Sequence, residues 1–181
     1  MMPKGFFLAM LLAAVASPVR ADDCRPVDAS RGKVSFEVEQ AGAPFHGRFR
    51  RFGGEVCVAD GRVTRVDVWL DPASVDAGLP EINAALKGDD FFAVDRYPRI
   101  EYSSRSVDQK PGERSAHGTL QVKGKSYSLE VPFKLKEEQG HPVVSGSLKL
   151  DRLEYGIGTG QWSNTQWLGA EVKVSFLATL P

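Results

Sequence analysis

In the stretch Tyr127-Ser128-Leu129-Glu130-Val131-Pro132-Phe133-Lys134-Leu135, Tyr127, Leu129, Val131, Phe133 and Leu135 recur at every second position. Five apolar side chains thus fall on one face, with Ser128, Glu130, Pro132 and Lys134 on the other. That period is the pleat of a β-strand with one buried side, and no helix places residues i and i+2 together. The reading extends outward in both directions. Val34, Phe36 and Val38 alternate with Ser35, Glu37 and Glu39, and Val66, Val68 and Leu70 with Arg65, Asp67 and Trp69. Ile100 and Tyr102 alternate with Glu101 and Ser103; Val144, Leu148 and Leu150 follow, then Val172, Val174, Phe176 and Ala178. With further strands near 46–57 and 116–123 the expectation is eight. Turn signals separate them at Gly53-Gly54, Asp60-Gly61, Pro111-Gly112, Lys123-Gly124-Lys125 and Gly140-His141-Pro142.

One segment departs from this period. Pro80-Glu81-Ile82-Asn83-Ala84-Ala85-Leu86-Lys87 has proline at a first helical position, good helix formers behind it, and Gly88 after it. It predicts a helix of two turns between the third and fourth strands. The fold class is therefore all-β, an eight-stranded antiparallel β-barrel or a sandwich. A barrel of eight strands either fills with side chains or holds one small apolar ligand, and closure removes exposed strand edges.

Residues 1–21 form a separate unit. Lys4 supplies a positive start, Phe6 to Ala16 an apolar run, and Pro18 a helix break before Val19-Arg20-Ala21. This is the layout of a signal peptide cleaved after Ala21, too short and wrongly flanked to span a membrane. An uncleaved N-terminal anchor is the competing reading, and Asp23 before Cys24 argues against a lipoprotein. The expectation is one domain, 22–181, secreted to the periplasm. The chain carries 23 basic and 23 acidic residues. With no cationic excess to meet phosphates, nucleic acid is not an expected partner. Cys24 and Cys57, an even count in an exported chain, predict a structural disulfide; a redox or metal pair lacks a CxxC spacing or a clustered histidine.

Patterns that would mark catalytic or metal-ligating groups are sparse. His46, His117 and His141 are isolated from one another, and no HExxH, GxSxG or P-loop pattern occurs. Gly156-Ile157-Gly158-Thr159-Gly160 lacks a phosphate-binding lysine and reads as a permissive loop. No enzyme activity, metal or cofactor is expected. An activity inside a pocket would require a titratable group there, with His117 and Asp151 as candidates. The aromatics are more unusual: Phe45, Phe49 and Phe52 are close together, Phe91 and Phe92 adjacent, and Trp162 and Trp167 flank a late loop. Core packing and an apolar pocket are both open readings at this point.

The order of features resembles the YceI-like family. Ser74-Val75-Asp76, Leu86, Asp90-Phe91-Phe92 and Tyr97-Pro98 look like its central signature. Gly118-Thr119-Leu120-Gln121-Val122-Lys123-Gly124 matches its G-x-L-x-x-x-G hairpin. Leu129-Glu130-Val131-Pro132-Phe133 and Asp151-Arg152-Leu153-Glu154-Tyr155-Gly156-Ile157-Gly158 continue the match. The resemblance implies a lipocalin-like barrel whose interior binds long apolar molecules, and a periplasmic binding or carrier protein for an isoprenoid-like lipid or isoprenoid quinone. Alternation and resemblance together nominate Phe36, Phe45, Phe49, Leu86, Phe91, Phe92, Tyr102, Phe133, Trp162 and Trp167 as ligand-binding residues. The Gly156–Trp162 loop and the cysteine pair also look like a branch associated with membrane b-type cytochromes. The alternative reading is therefore a non-enzymatic accessory of a separate membrane cytochrome or an envelope stress complex. Oligomeric state stays open, a homodimer among the options.

Overall fold

The period-two runs form antiparallel strands throughout. The structure, a computed structural model, describes residues 23–110 and 113–181; the expected leader and the Pro111-Gly112 turn lie outside the described residues. The strands are β1 (Asp23–Pro26), β2 (Asp28–Gln40), β3 (Ala43–Phe49), β4 (Phe52–Ala59), β5 (Arg62–Leu70), β6 (Val75–Asp76) and β7 (Ile100–Lys110). They continue with β8 (Glu113–Val122), β9 (Lys125–Pro132), β10 (Lys134–Glu138), β11 (His141–Asp151) and β12 (Leu168–Thr179). A helix, α1 (Pro80–Lys87), lies where the sequence places it, with Pro80 opening its first turn and the Gly88 amide closing on the Ala85 carbonyl at 3.0 Å. Among the described residues no helix is long and apolar enough to cross a membrane.

The expected closed, eight-stranded barrel is corrected to two six-stranded sheets that do not close. Their orders are β1-β4-β5-β7-β8-β9 and β10-β11-β12-β2-β3-β6. The count rises because single alternating runs serve both sheets. The run 127–135 pairs with β8 up to Pro132; the Phe133 amide then donates to the Arg114 carbonyl at 2.9 Å, and from Lys134 onward the chain pairs with β11. The run 46–57 likewise divides at Arg50 and Arg51, whose amides donate to the Ser74 carbonyl (3.2 Å) and Ser74 Oγ (2.9 Å). Alternation persists through such a bend, so periodicity does not reveal which partner strand lies alongside.

Two turn assignments also change. Gly53-Gly54 sits inside β4, where a β-carbon on Gly54 would stand 2.2 Å from the Asp67 carbonyl oxygen of β5, so a side chain is excluded by close backbone approach. The last hairpin turns at Gln139-Gly140, and His141 and Pro142 begin β11. Ala41-Gly42, Asp60-Gly61, Lys123-Gly124 and Gln139-Gly140 each have two successive positive φ angles, as two-residue hairpins of right-handed twist require.

Cys24 and Cys57 are directly opposed across β1 and β4 and joined by a disulfide with an S–S distance of 2.08 Å. It ties a four-residue edge strand to the first sheet next to Val27, where the chain passes into the second. The sulfurs belong to that bond, so the cluster they form with Glu55 offers no thiolate to a metal. Buried side chains gather in two groups. One is built on Val38, Phe49, Leu86, Phe91, Phe92 and Leu168, the other on Val56, Val63, Tyr102, Phe133, Val144 and Leu180.

Candidate functional site

Between the inward faces of the two sheets lies a cavity of about 340 Å³ whose wall is almost wholly carbon. The alternation that makes the strands also makes this wall. Val34, Phe36 and Val38 of β2, Val66, Val68 and Leu70 of β5, and Leu129 and Val131 of β9 all reach it. α1 adds Ile82, Ala85 and Leu86. Its position is set in part by Asn83, whose Oδ1 accepts from the Ala77 amide at 2.7 Å just beyond β6.

Nine of the ten nominated residues line this cavity: Phe36, Phe45, Phe49, Leu86, Phe91, Phe92, Tyr102, Phe133 and Trp162. Trp167 does not. It is 54% exposed and precedes β12, with its carbonyl accepting from the Ala41 amide at 2.8 Å. The aromatics form contacts typical of quadrupolar rings. Phe49 stands 5.7 Å from Phe36 and edge-on to Phe92 at 5.5 Å, and Phe91 lies 5.5 Å from Trp162.

Loops 88–99 and 152–167 and the β8–β9 turn meet at one end. The Asp90 carbonyl accepts from the amides of Gly158 (2.7 Å) and Thr159 (2.9 Å). Lys123 Nζ donates to the carbonyls of Asp89 (3.1 Å) and Gly156 (2.7 Å), and burial, its largest influence, lowers the pKa of that amine. Phe91 and Phe92 are therefore presented to the interior from a braced segment.

Two polar groups of the wall, those of Tyr102 and Arg152, are internally committed. The Tyr102 hydroxyl donates to the Ala116 carbonyl at 2.8 Å, and burial, aided by Glu130, pushes its pKa up to about 12. Arg152, only 3% exposed, is the larger surprise. Nε donates to Gly169 O (2.8 Å), Nη1 to Ile157 O (2.9 Å) and Gly158 O (2.7 Å), Nη2 to Trp162 O and Leu168 O (both 2.7 Å). A guanidinium has five N–H groups, and five carbonyls take them. Burial lowers its pKa, opposed by Asp151. Its trace in the sequence is parity alone: Leu148, Leu150 and Arg152 continue one period-two face. That parity was the available signal for an inward arginine.

His117 and Asp151, the candidates for an in-pocket titratable group, are not on the wall. His117 Nε2 lies 3.2 Å from Asp108 at the surface, and Asp151 is exposed. His46 pairs with Glu37 at 3.5 Å, also at the surface.

Comparison with known proteins places this geometry. The family described as YceI-like domain matches residues 26–180. A UPF0312 protein of Shewanella oneidensis is 26% identical over 152 residues, covering 80% of this chain and 76% of its own. The crystal structure of BcnA from Burkholderia cenocepacia superposes with a TM-score of 0.81 at 26% identity, covering 86% of this chain and 99% of that one. A polyisoprenoid binding domain from Saccharophagus degradans shares the fold, with a TM-score of 0.66 at 16% identity over 86% of this chain and 98% of its own.

Proposed function

The chain belongs to the YceI-like domain family, and on that premise we propose that it is a periplasmic binding or carrier protein holding an isoprenoid-like lipid or isoprenoid quinone between its sheets. The observation that carries this reading is the carbon-lined cavity bounded by both sheets, α1 and the Phe91-Phe92 segment. Removing apolar surface from water yields roughly 25 cal/mol per Å², so a long hydrocarbon gains affinity along such a wall without a single charged contact. The aromatic rings and branched aliphatic side chains match a methyl-branched, unsaturated chain, and a structural neighbour of the same fold is described as polyisoprenoid binding. Export fits the signal-like residues 1–21 and the Cys24–Cys57 disulfide, a bond that persists in oxidising compartments.

The test is mass spectrometry of an organic extract from natively purified protein, followed by uptake of a labelled isoprenoid. Recovery of an isoprenoid lipid or quinone supports the reading, and reversible redox absorbance of the extract separates a quinone from a plain polyisoprenoid. A protein that is lipid-free and takes up no label overturns it.

A further inference from the structure

The cavity accounts for a tail but offers nothing to a head. On its buried wall the Tyr102 hydroxyl is spent on the Ala116 carbonyl and all five N–H groups of Arg152 on backbone carbonyls. The wall as a whole, with buried Tyr155 and the rings of Trp69 and Trp162 on it, is almost wholly carbon. Among the described residues no fully buried side-chain nitrogen or oxygen lacks a partner. Of the other polar residues on the lining, Glu101 is exposed and Gln40 half-buried, so a group that reaches them still meets water.

A hydroxyl, phosphate or quinone carbonyl drawn inside would give up its water hydrogen bonds and find none in return, a cost that excludes it. A head at the water-facing margin exchanges one hydrogen bond for another and gains little. Resting on the proposed isoprenoid reading, we infer that this protein selects its ligand by the hydrocarbon chain alone and is indifferent to the head group, so that headless isoprenoid hydrocarbons are ligands of the same site. Arg152, although cationic, is a positioning residue for loop 152–168 and not an anchor for an anionic head, because a sixth acceptor would have to displace one of its five carbonyls.

The experiment uses the full mature protein loaded with labelled geranylgeraniol. Displacement is measured for unlabelled geranylgeraniol, its monophosphate and its diphosphate, and the headless hydrocarbon of the same twenty-carbon chain. The alcohols of the fifteen- and ten-carbon chains complete the set. The expected result is affinities within about threefold across the four twenty-carbon probes, and a loss of tenfold or more for each isoprene unit removed, since each unit deletes several buried carbons. A preference of tenfold or more for one head group at constant chain length overturns the inference and leaves the isoprenoid reading standing. Failure of every probe to bind overturns that reading and the inference with it.

Discussion

Gly47 of β3 lies directly beneath the ring of Phe36 on β2: a β-carbon on Gly47 would stand 2.2 Å from Phe36 Cζ. The ring occupies the space a side chain would need and stands 5.7 Å from the ring of Phe49. Gly47→Ala must push Phe36 aside, toward the cavity, and such overpacking typically costs about 1–3 kcal/mol. Urea denaturation is expected to show that loss. Placed on a Phe36→Leu background, the same alanine is expected to cost clearly less, because residues in contact do not add independently. Equal costs in both backgrounds would mean that the alanine acts elsewhere.

The disulfide closes a loop between positions 33 residues apart. Constraint of the unfolded chain by a loop of that length is worth roughly 3–4 kcal/mol on the chain-entropy account. The Cys24→Ala, Cys57→Ala double variant should lose about that much in urea, and a reductant should move the midpoint of the native protein while leaving the variant unchanged. Fraying should concentrate in β1, which hydrogen exchange reads directly.

Tyr102 sets an alkaline limit on stability. Its pKa is about 12 in the folded state and close to 10 in an unfolded chain. Above pH 10 the unfolded state therefore releases a proton that the folded state retains, and stability falls as pH rises through the 10–12 window. Tyr102→Phe is expected to flatten this fall in denaturation midpoints measured across that window. It also gives up the bond to Ala116, at a cost of about 0.5–1.5 kcal/mol at neutral pH. An unchanged alkaline slope would assign the effect to another group.

Much of the fold was legible because alternation reports burial. The inward faces of 34–38, 66–70 and 127–135, and the helix Pro80–Lys87, lie where the sequence places them. Strand number and closure were not legible, since they depend on which backbone pairs with which. At Phe133 and at Arg50-Arg51 the pairing changes while the pattern does not. For the candidate site the same rule explains both the nine residues that line the cavity and the exception. Trp167 sits before β12 in a segment with no alternation to orient it. Arg152 was missed for the opposite reason: its parity was correct, but a charged residue was not considered for an inward position. No local pattern shows five carbonyls converging from residues 157 to 169.

Arg152 should be the most sensitive single position at this end of the molecule. Arg152→Met keeps an unbranched chain of similar reach but leaves five carbonyls of loop 152–168 and early β12 without their donor. Each buried acceptor so orphaned costs about 1–3 kcal/mol where water cannot reach it, and loop relaxation recovers part, so a net loss on the order of 3–5 kcal/mol is expected. Arg152→Lys retains the charge but supplies three donors without the planar fork, and should lose an intermediate amount. If Arg152 instead served the ligand as a cationic anchor, lysine would preserve stability poorly yet retain a preference for anionic heads. Denaturant midpoints together with displacement by geranylgeraniol and its monophosphate separate the two roles. The expected outcome is a graded loss of stability from arginine to lysine to methionine, with the ratio of the two affinities unchanged in every variant that folds. A ratio that shifts toward the alcohol in Arg152→Met alone would assign the guanidinium to head-group binding.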